Sequence, residues 1–320
     1  MGKENKRMNL SVIQTKDKEG LPSFPSKSSV GRLALTALLA GAVGIAFAPI
    51  FVRLSPVGPS ATAFWRMVLS LPPLWLWMFV KRKGPEQQRP PAYPSDYLFL
   101  IISGLFFAGD LAIWHWSIKL TSVANATLLV NFAPVFVTLG GWMIFHQRVR
   151  VIFLLGMGLA LSGMTLIAGD SLKMSLHYFW GDALSFTSAL FYAGYLLTIK
   201  YLREHFSTSI IMAWSGLITA VALLPITLLS GESLFFHGIQ GWAVLVGLAL
   251  ISQVSGQGLI TFALAHLPAS FSSVALLVQP VTAAFLAWVL LNEAIGVWQA
   301  FGGLLVLFGI LVAKRGSPVE

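Results

Sequence analysis

Residues 33–47 read LALTALLAGAVGIAF, without one charge. Similar runs recur as LLGMGLALSGMTLIA at 154–168 and FGGLLVLFGILVA at 301–313. A helix crosses the hydrocarbon of a bilayer with about 20 predominantly apolar residues. Such runs cannot be solvated on a soluble surface. Composition agrees: 10% of the 320 residues are charged and 56% are hydrophobic, whereas soluble domains carry roughly 25% charge. The chain therefore reads as an all-α polytopic membrane protein with the lipid bilayer as its surroundings. The net charge of +9 reflects loop asymmetry in such a protein, not nucleic-acid binding. The sequence contains no cysteine, which excludes disulfides and thiol chemistry.

Charged, Gly, Pro and Ser clusters divide the apolar sequence into ten spans near 33–54, 60–80, 96–119, 122–145, 150–168, 179–201, 208–229, 239–265, 269–291 and 296–313. With the first residue in the cytoplasm, seventeen of the 21 Lys and Arg fall in cytoplasmic segments. Arg53, Lys119 and Lys173 fall outside, and Arg66 falls within a span. This asymmetry predicts ten helices with N- and C-termini cytoplasmic. Residues 1–32 read as a disordered cytoplasmic tail, being polar and lacking the tripartite pattern of a signal peptide. Residues 315–320 read as a second tail.

Shifted by 146 residues, the chain aligns with itself. Pro134-Val135 meets Pro280-Val281, and Trp142 meets Trp288. Gly156 and Gly163 meet Gly302 and Gly309. The halves, 33–168 and 179–314, would each hold five helices. An odd count forces the second half to enter from the opposite side, which predicts an inverted repeat with a substrate site at the repeat interface. Arg148 and Arg150 correspond to Ala294 and Gly296, so the basic residues disappear where the orientation reverses.

The ten spans, the five-plus-five repeat, the Arg of FWRMVLS, the prolines of FAPVF and VQPVT, and the ending LNEAIGVWQAFGGLLVLFGI resemble the EamA-like branch of the drug/metabolite transporter superfamily. The resemblance covers about residues 33–314. It implies a carrier in the bacterial inner (plasma) membrane for small metabolites or drugs, often an exporter. The family often carries an acidic residue where Gln147 stands; Glu293 holds that position in the second half.

Polar residues within spans are costly and mark function unless a structural partner accounts for them. Arg66 and Asp110 fall at similar depth on consecutive antiparallel spans. They read either as a structural ion pair or as a proton-coupling element. His115 lies about 140° round the helix from Asp110. Across the repeat it matches Thr261, which continues a stripe of Gln253 and Gln257 at four-residue spacing. That stripe predicts a cavity face. The alternative for His115 is a histidine at the outer interface bonded to a backbone carbonyl. Asp110 matches Gly256, beside Ser252 and Ser255, and so reads as part of a packing face. Asn125 and Asn131 on the fourth span, and Gln279 on the ninth, accompany Pro134 and Pro280. Each proline breaks a helix bond, and the amides serve either as cavity lining or as polar glue between helices. Trp114, one turn from Asp110, is a further lining candidate, and Tyr192 and Tyr195 have weaker support.

No spacing suits a catalytic set, a metal site or a cofactor. The expected function is a secondary transporter of small neutral or zwitterionic solutes, such as amino acids, with possible proton coupling through His115 or Asp110. A non-transporting scaffold or an intramembrane enzyme is the alternative.

Overall fold

A computed structural model describes residues 27–81, 90–121, 123–169, 179–291 and 296–317. The tail to residue 26, the loop 82–89, Lys173 and Glu293 lie outside the described residues. The described part consists of helices: α1 (Lys27–Ala46), α2 (Ala48–Leu54), α3 (Pro59–Lys81), α4 (Pro94–Leu120), α5 (Val123–Val130), α6 (Ala133–Phe145), α7 (Val151–Ala168), α8 (Phe179–Leu202), α9 (Thr208–Leu229), α10 (Ile239–Gly247), a π-helical segment (Leu248–Gln257), α11 (Gly258–Ala263), α12 (Ala269–Ala275), α13 (Val278–Leu291) and α14 (Val297–Gly316). Nine stretches among the described residues are long and apolar enough to cross a membrane.

Helix α8 falls outside those nine. Its 24 residues span roughly 36 Å at 1.5 Å per residue. One face of it is enclosed, and Phe179, Trp180, Phe186 and Leu190 on another are exposed. It packs against α4, α5 and α6, so Ser185, Ser188 and Tyr195 are buried by protein. A helix face turned into the bundle can carry polar groups that meet partners there.

The repeat is visible in the packing. The repeat-related helices α7 and α14 pack along their length and run antiparallel. A Cβ on Gly156 would collide with Ala313 N, and one on Gly163 would lie 2.6 Å from the Gly302 carbonyl. Only glycine permits backbones this close. Helices α3 and α9, also related by the repeat, pack on each other. The contact of α4 with α8 has its counterpart in the contact of the π-helical segment with α1. There Gly41 and Gly44 abut Gly256, and Ser252 Oγ donates to the Gly44 carbonyl at 3.0 Å. The small-residue face expected around Gly256 is thus a helix–helix contact.

Three of the expected spans are broken, two of them beside the prolines singled out in the sequence. The first breaks at Phe47, between α1 and α2; the fourth at Asn131 and Phe132; the ninth at Leu276 and Leu277. The last two breaks are the same turn in both halves. Asn131 N donates to the Leu128 carbonyl at 3.1 Å, and Leu277 N to the Val274 carbonyl at 3.1 Å. Those are i→i+3 bonds that tighten the chain before Pro134 and Pro280. The first break precedes Pro49, which sits in the opening turn of α2. By contrast Pro72 and Pro73 lie inside a continuous α3, and Pro225 inside a continuous α9.

The α7–α14 contact generates a prediction. Gly156→Leu should destabilise the protein by about 1–3 kcal/mol through overpacking. Gly158→Ala, where nothing lies within 4 Å of an added Cβ, should change stability by less than about 1 kcal/mol. Thermal unfolding followed by size-exclusion chromatography separates the two outcomes.

Candidate functional site

The three breaks meet at one cavity of about 180 Å³. Ala46, Ala48 and Pro49 reach it from the first break, Val130, Asn131 and Pro134 from the second, and Leu276, Leu277 and Pro280 from the third. Proline has no N–H, so Pro49, Pro134 and Pro280 cannot donate to the carbonyls of Ile45, Val130 and Leu276. All three of those residues line the cavity. Irregular backbone at membrane depth is tolerated where protein or a cavity surrounds it.

The lining follows the repeat. Fourteen of the 22 lining residues form seven pairs related by the 146-residue shift, among them Thr127 with Ser273, Asn131 with Leu277, Ala133 with Gln279 and Leu111 with Gln257. The cavity therefore lies where the two halves meet. Its scaffold is symmetric and its chemistry is not, because most pairs couple a polar residue to an apolar one.

Helix α4 presents Phe107, Asp110, Leu111 and Trp114 to the cavity. These positions recur at three and four residues, the spacing of one helix face. Asp110 is 9% exposed. Its Oδ1 accepts a hydrogen bond from Ser188 Oγ of α8 at 2.6 Å. Arg66 of α3, 8% exposed, donates from Nε to Gln253 Oε1 at 2.9 Å. Its guanidinium carbon lies 5.8 Å from the centre of the Phe107 ring. Phe107 stacks on Tyr195 at 4.6 Å, and Tyr195 on Tyr192 at 6.3 Å. An aromatic column thus runs from Arg66 across to α8.

Two expectations need correction. Asp110 and Arg66 do not form an ion pair with each other. Each is held by its own neutral partner, Ser188 and Gln253, and both line the cavity. Asp110 is also not confined to a packing face. It stands at the edge of the α4–α8 contact, where its carboxyl group can reach Ser188 and still border the cavity.

The predicted polar stripe divides. Gln257 lines the cavity, and its Nε2 donates to the Tyr195 hydroxyl at 3.3 Å. Gln253 is buried behind the lining as the acceptor for Arg66. Thr261 is buried with its hydroxyl toward Met212 Sδ at 3.4 Å, away from the lining. Neighbouring helices decide the division: Arg66 of α3 covers Gln253, and Met212 of α9 covers Thr261. Asn131 borders the cavity while its Nδ2 donates to the Thr127 carbonyl at 2.7 Å. It therefore serves the helix break as well as the lining. Gln279 also lines the cavity. Its buried Nε2 has no hydrogen-bond partner among the described residues. The side chains of His115 and Asn125 lie outside the described part of the structure. Phe107 and Pro49 are lining residues that the sequence reading missed. Phe107 was legible as the residue three before Asp110. Pro49 was not, since the second half has Tyr195 at that position, within the unbroken α8.

Among the described residues no group of His, Cys, Asp and Glu could hold a metal ion. The cavity offers hydrogen-bonding groups, a buried guanidinium, a buried carboxyl group and aromatic walls, which are the features of a solute-binding site.

The buried polar contacts carry a prediction. Ser188→Ala removes a donor from a buried carboxylate, and Gln253→Leu removes the acceptor of a buried guanidinium. Each should cost about 1–3 kcal/mol in thermal unfolding, whereas Ser188→Thr, which keeps the hydroxyl, should cost less.

A solved crystal structure superposes on this fold with a TM-score of 0.73, covering 90% of this chain and 99% of the other at 20% identity. An uncharacterized transporter of Archaeoglobus fulgidus is 27% identical over 87% of this chain and 94% of its own length. The uncharacterized transporter YoaV of Bacillus subtilis is 24% identical over 84% of this chain and 91% of its own. The pseudopaline exporter CntI of Pseudomonas aeruginosa is 23% identical over 68% of this chain and 74% of its own. The model of the EamA-like transporter family matches twice, at residues 32–169 and 179–314. With both halves of its helical bundle matched, the chain is a multi-pass membrane transporter and belongs to the EamA-like transporter family.

Proposed function

We propose that the protein is a secondary transporter that exports small neutral or zwitterionic metabolites, such as amino acids or related compounds, by alternating access at the central cavity. The observation that carries this reading is the lining itself. Seven repeat-related residue pairs and three helix breaks surround one cavity between the halves, largely apolar with a few polar groups. Transporters built from inverted repeats bind solute at this place, and rocking of one half against the other exposes it to each side in turn. The reading takes α8 as a tenth span and both termini as cytoplasmic. The charge asymmetry of the loops and the antiparallel course of α7 and α14 support it. Export is favoured by the kinship with an exporter. Proton coupling through Asp110 or His115 belongs to the same proposal, as does placement in a bacterial inner membrane.

Purified protein in proteoliposomes, loaded with a metabolite mixture, tests the reading. Wild-type protein should deplete specific solutes from the lumen by at least about tenfold over protein-free vesicles. Gln257→Ala, Asn131→Ala and Trp114→Ala should each lower that flux. Unchanged flux in all three would remove the cavity from the transport path.

The absence of cysteine makes single-cysteine labelling direct. Thr127→Cys should react with a membrane-impermeant maleimide from the outer face and Ser273→Cys from the cytoplasmic face. Substrate should raise one reactivity while it lowers the other. Parallel changes at both positions would contradict alternating access.

A further inference from the structure

We infer that Arg66 and Asp110 form a two-part headgroup site for an α-amino acid, with the guanidinium taking the carboxylate and the Asp110 carboxyl group taking the ammonium. This rests on the transporter reading above and assigns a role to each charge within it.

A guanidinium and a carboxyl group border one cavity, on consecutive helices, and each makes its hydrogen bond with another residue. A buried charge is strongly destabilising unless paired and fully hydrogen-bonded. Here each is satisfied on one side only. Arg66 uses Nε on Gln253, and no described residue accepts from its two Nη groups. Asp110 uses Oδ1 on Ser188, and no described residue donates to its Oδ2. None of these remaining atoms is sealed off by protein, since they are absent from the buried groups that lack a partner. Both residues line the cavity.

The free edge of a guanidinium matches a carboxylate, which it binds through two parallel N–H donors. The Phe107 ring and Gln253 fix the plane of that fork. A compact ammonium suits a lone carboxylate oxygen. A zwitterion completes both groups and leaves the cavity neutral. A simple acid or amine completes one group and leaves the other uncompensated. The solute's side chain would then lie on the apolar part of the lining, at Leu111, Trp114 and Leu276. A cavity of about 180 Å³ suits such a solute, since one of roughly 150 Å³ admits benzene.

The test is binding to full-length protein in lipid nanodiscs, read as ligand-induced thermal stabilisation. Each of the twenty protein amino acids is tried alone, and any that binds is compared with its methyl ester and its N-acetyl derivative. At least one amino acid should bind, with both derivatives weaker by about tenfold or more. In Arg66→Gln the acid and its ester should bind alike. In Asp110→Asn the free amine and its N-acetyl form should bind alike. Arg66→Lys and Asp110→Glu, which keep the charges, should keep both preferences at reduced affinity and serve if the neutral variants fail to fold. Equal binding of the amino acid and its derivatives to wild-type protein would overturn the assignment. So would preferences that survive in both neutral variants. If no amino acid binds while wild-type proteoliposomes still export other solutes, the headgroup site is wrong and the transporter reading stands. If nothing binds and nothing moves, both fail.

Discussion

Inside a bilayer no water is available to the peptide backbone, so every N–H and C=O must find a partner within the protein. That constraint governs where this chain can depart from a helix. Its breaks at Phe47, at Asn131 and at Leu276 are not scattered over the lipid-facing surface. They converge on one cavity between the halves. The i→i+3 bonds at Asn131 and Leu277, and the Asn131 side chain on the Thr127 carbonyl, restore part of what the prolines remove. The remaining irregularity is what makes the space. The cavity and the breaks are therefore one feature, and the glycine contacts of α7 with α14 hold the surrounding frame in place.

A symmetric frame does not imply a symmetric site. Asp110 corresponds to Gly256 across the repeat, and Arg66 to Met212. At the first pair, one half uses a glycine for close packing against α1, and the other places a carboxyl group against Ser188. The repeat supplies two equivalent helix contacts, and substitution at one of them introduces charge without disturbing the other. The π-helical segment is a second departure, because α4, its counterpart, is a regular helix. That segment brings Gln253 to Arg66 and Gln257 to the cavity wall.

Much of the fold was legible because hydrophobic length, charge asymmetry and a 146-residue repeat are properties of the linear chain. The prolines marked two of the three breaks for the same reason. The candidate site was legible as a set of residues but not as an arrangement. Arg66 and Asp110 were recognisable at matching depth, yet depth along two helices does not fix the rotation of either. Rotation decided that they meet a cavity and not each other. The glutamine stripe failed for a related reason. Four-residue spacing puts residues on one side of a helix but does not say which neighbours cover them, and here Arg66 covers Gln253 while Met212 covers Thr261.

Taken alone, the sequence determined that this is a membrane-embedded helical protein in two related halves. Water cannot solvate its apolar runs, and no lipid-facing position tolerates the charges it keeps. It also singled out the polar residues worth attention, since each is costly at membrane depth. Only the tertiary structure decided which of them share a space. Thr261 packs against Met212, Gln253 stands behind the lining, and Gln257, Gln279, Arg66 and Asp110 border the cavity. Those outcomes depend on helix rotation, on which neighbouring helix covers each residue and on the close approach that glycine allows, none of which is set by spacing along a single helix.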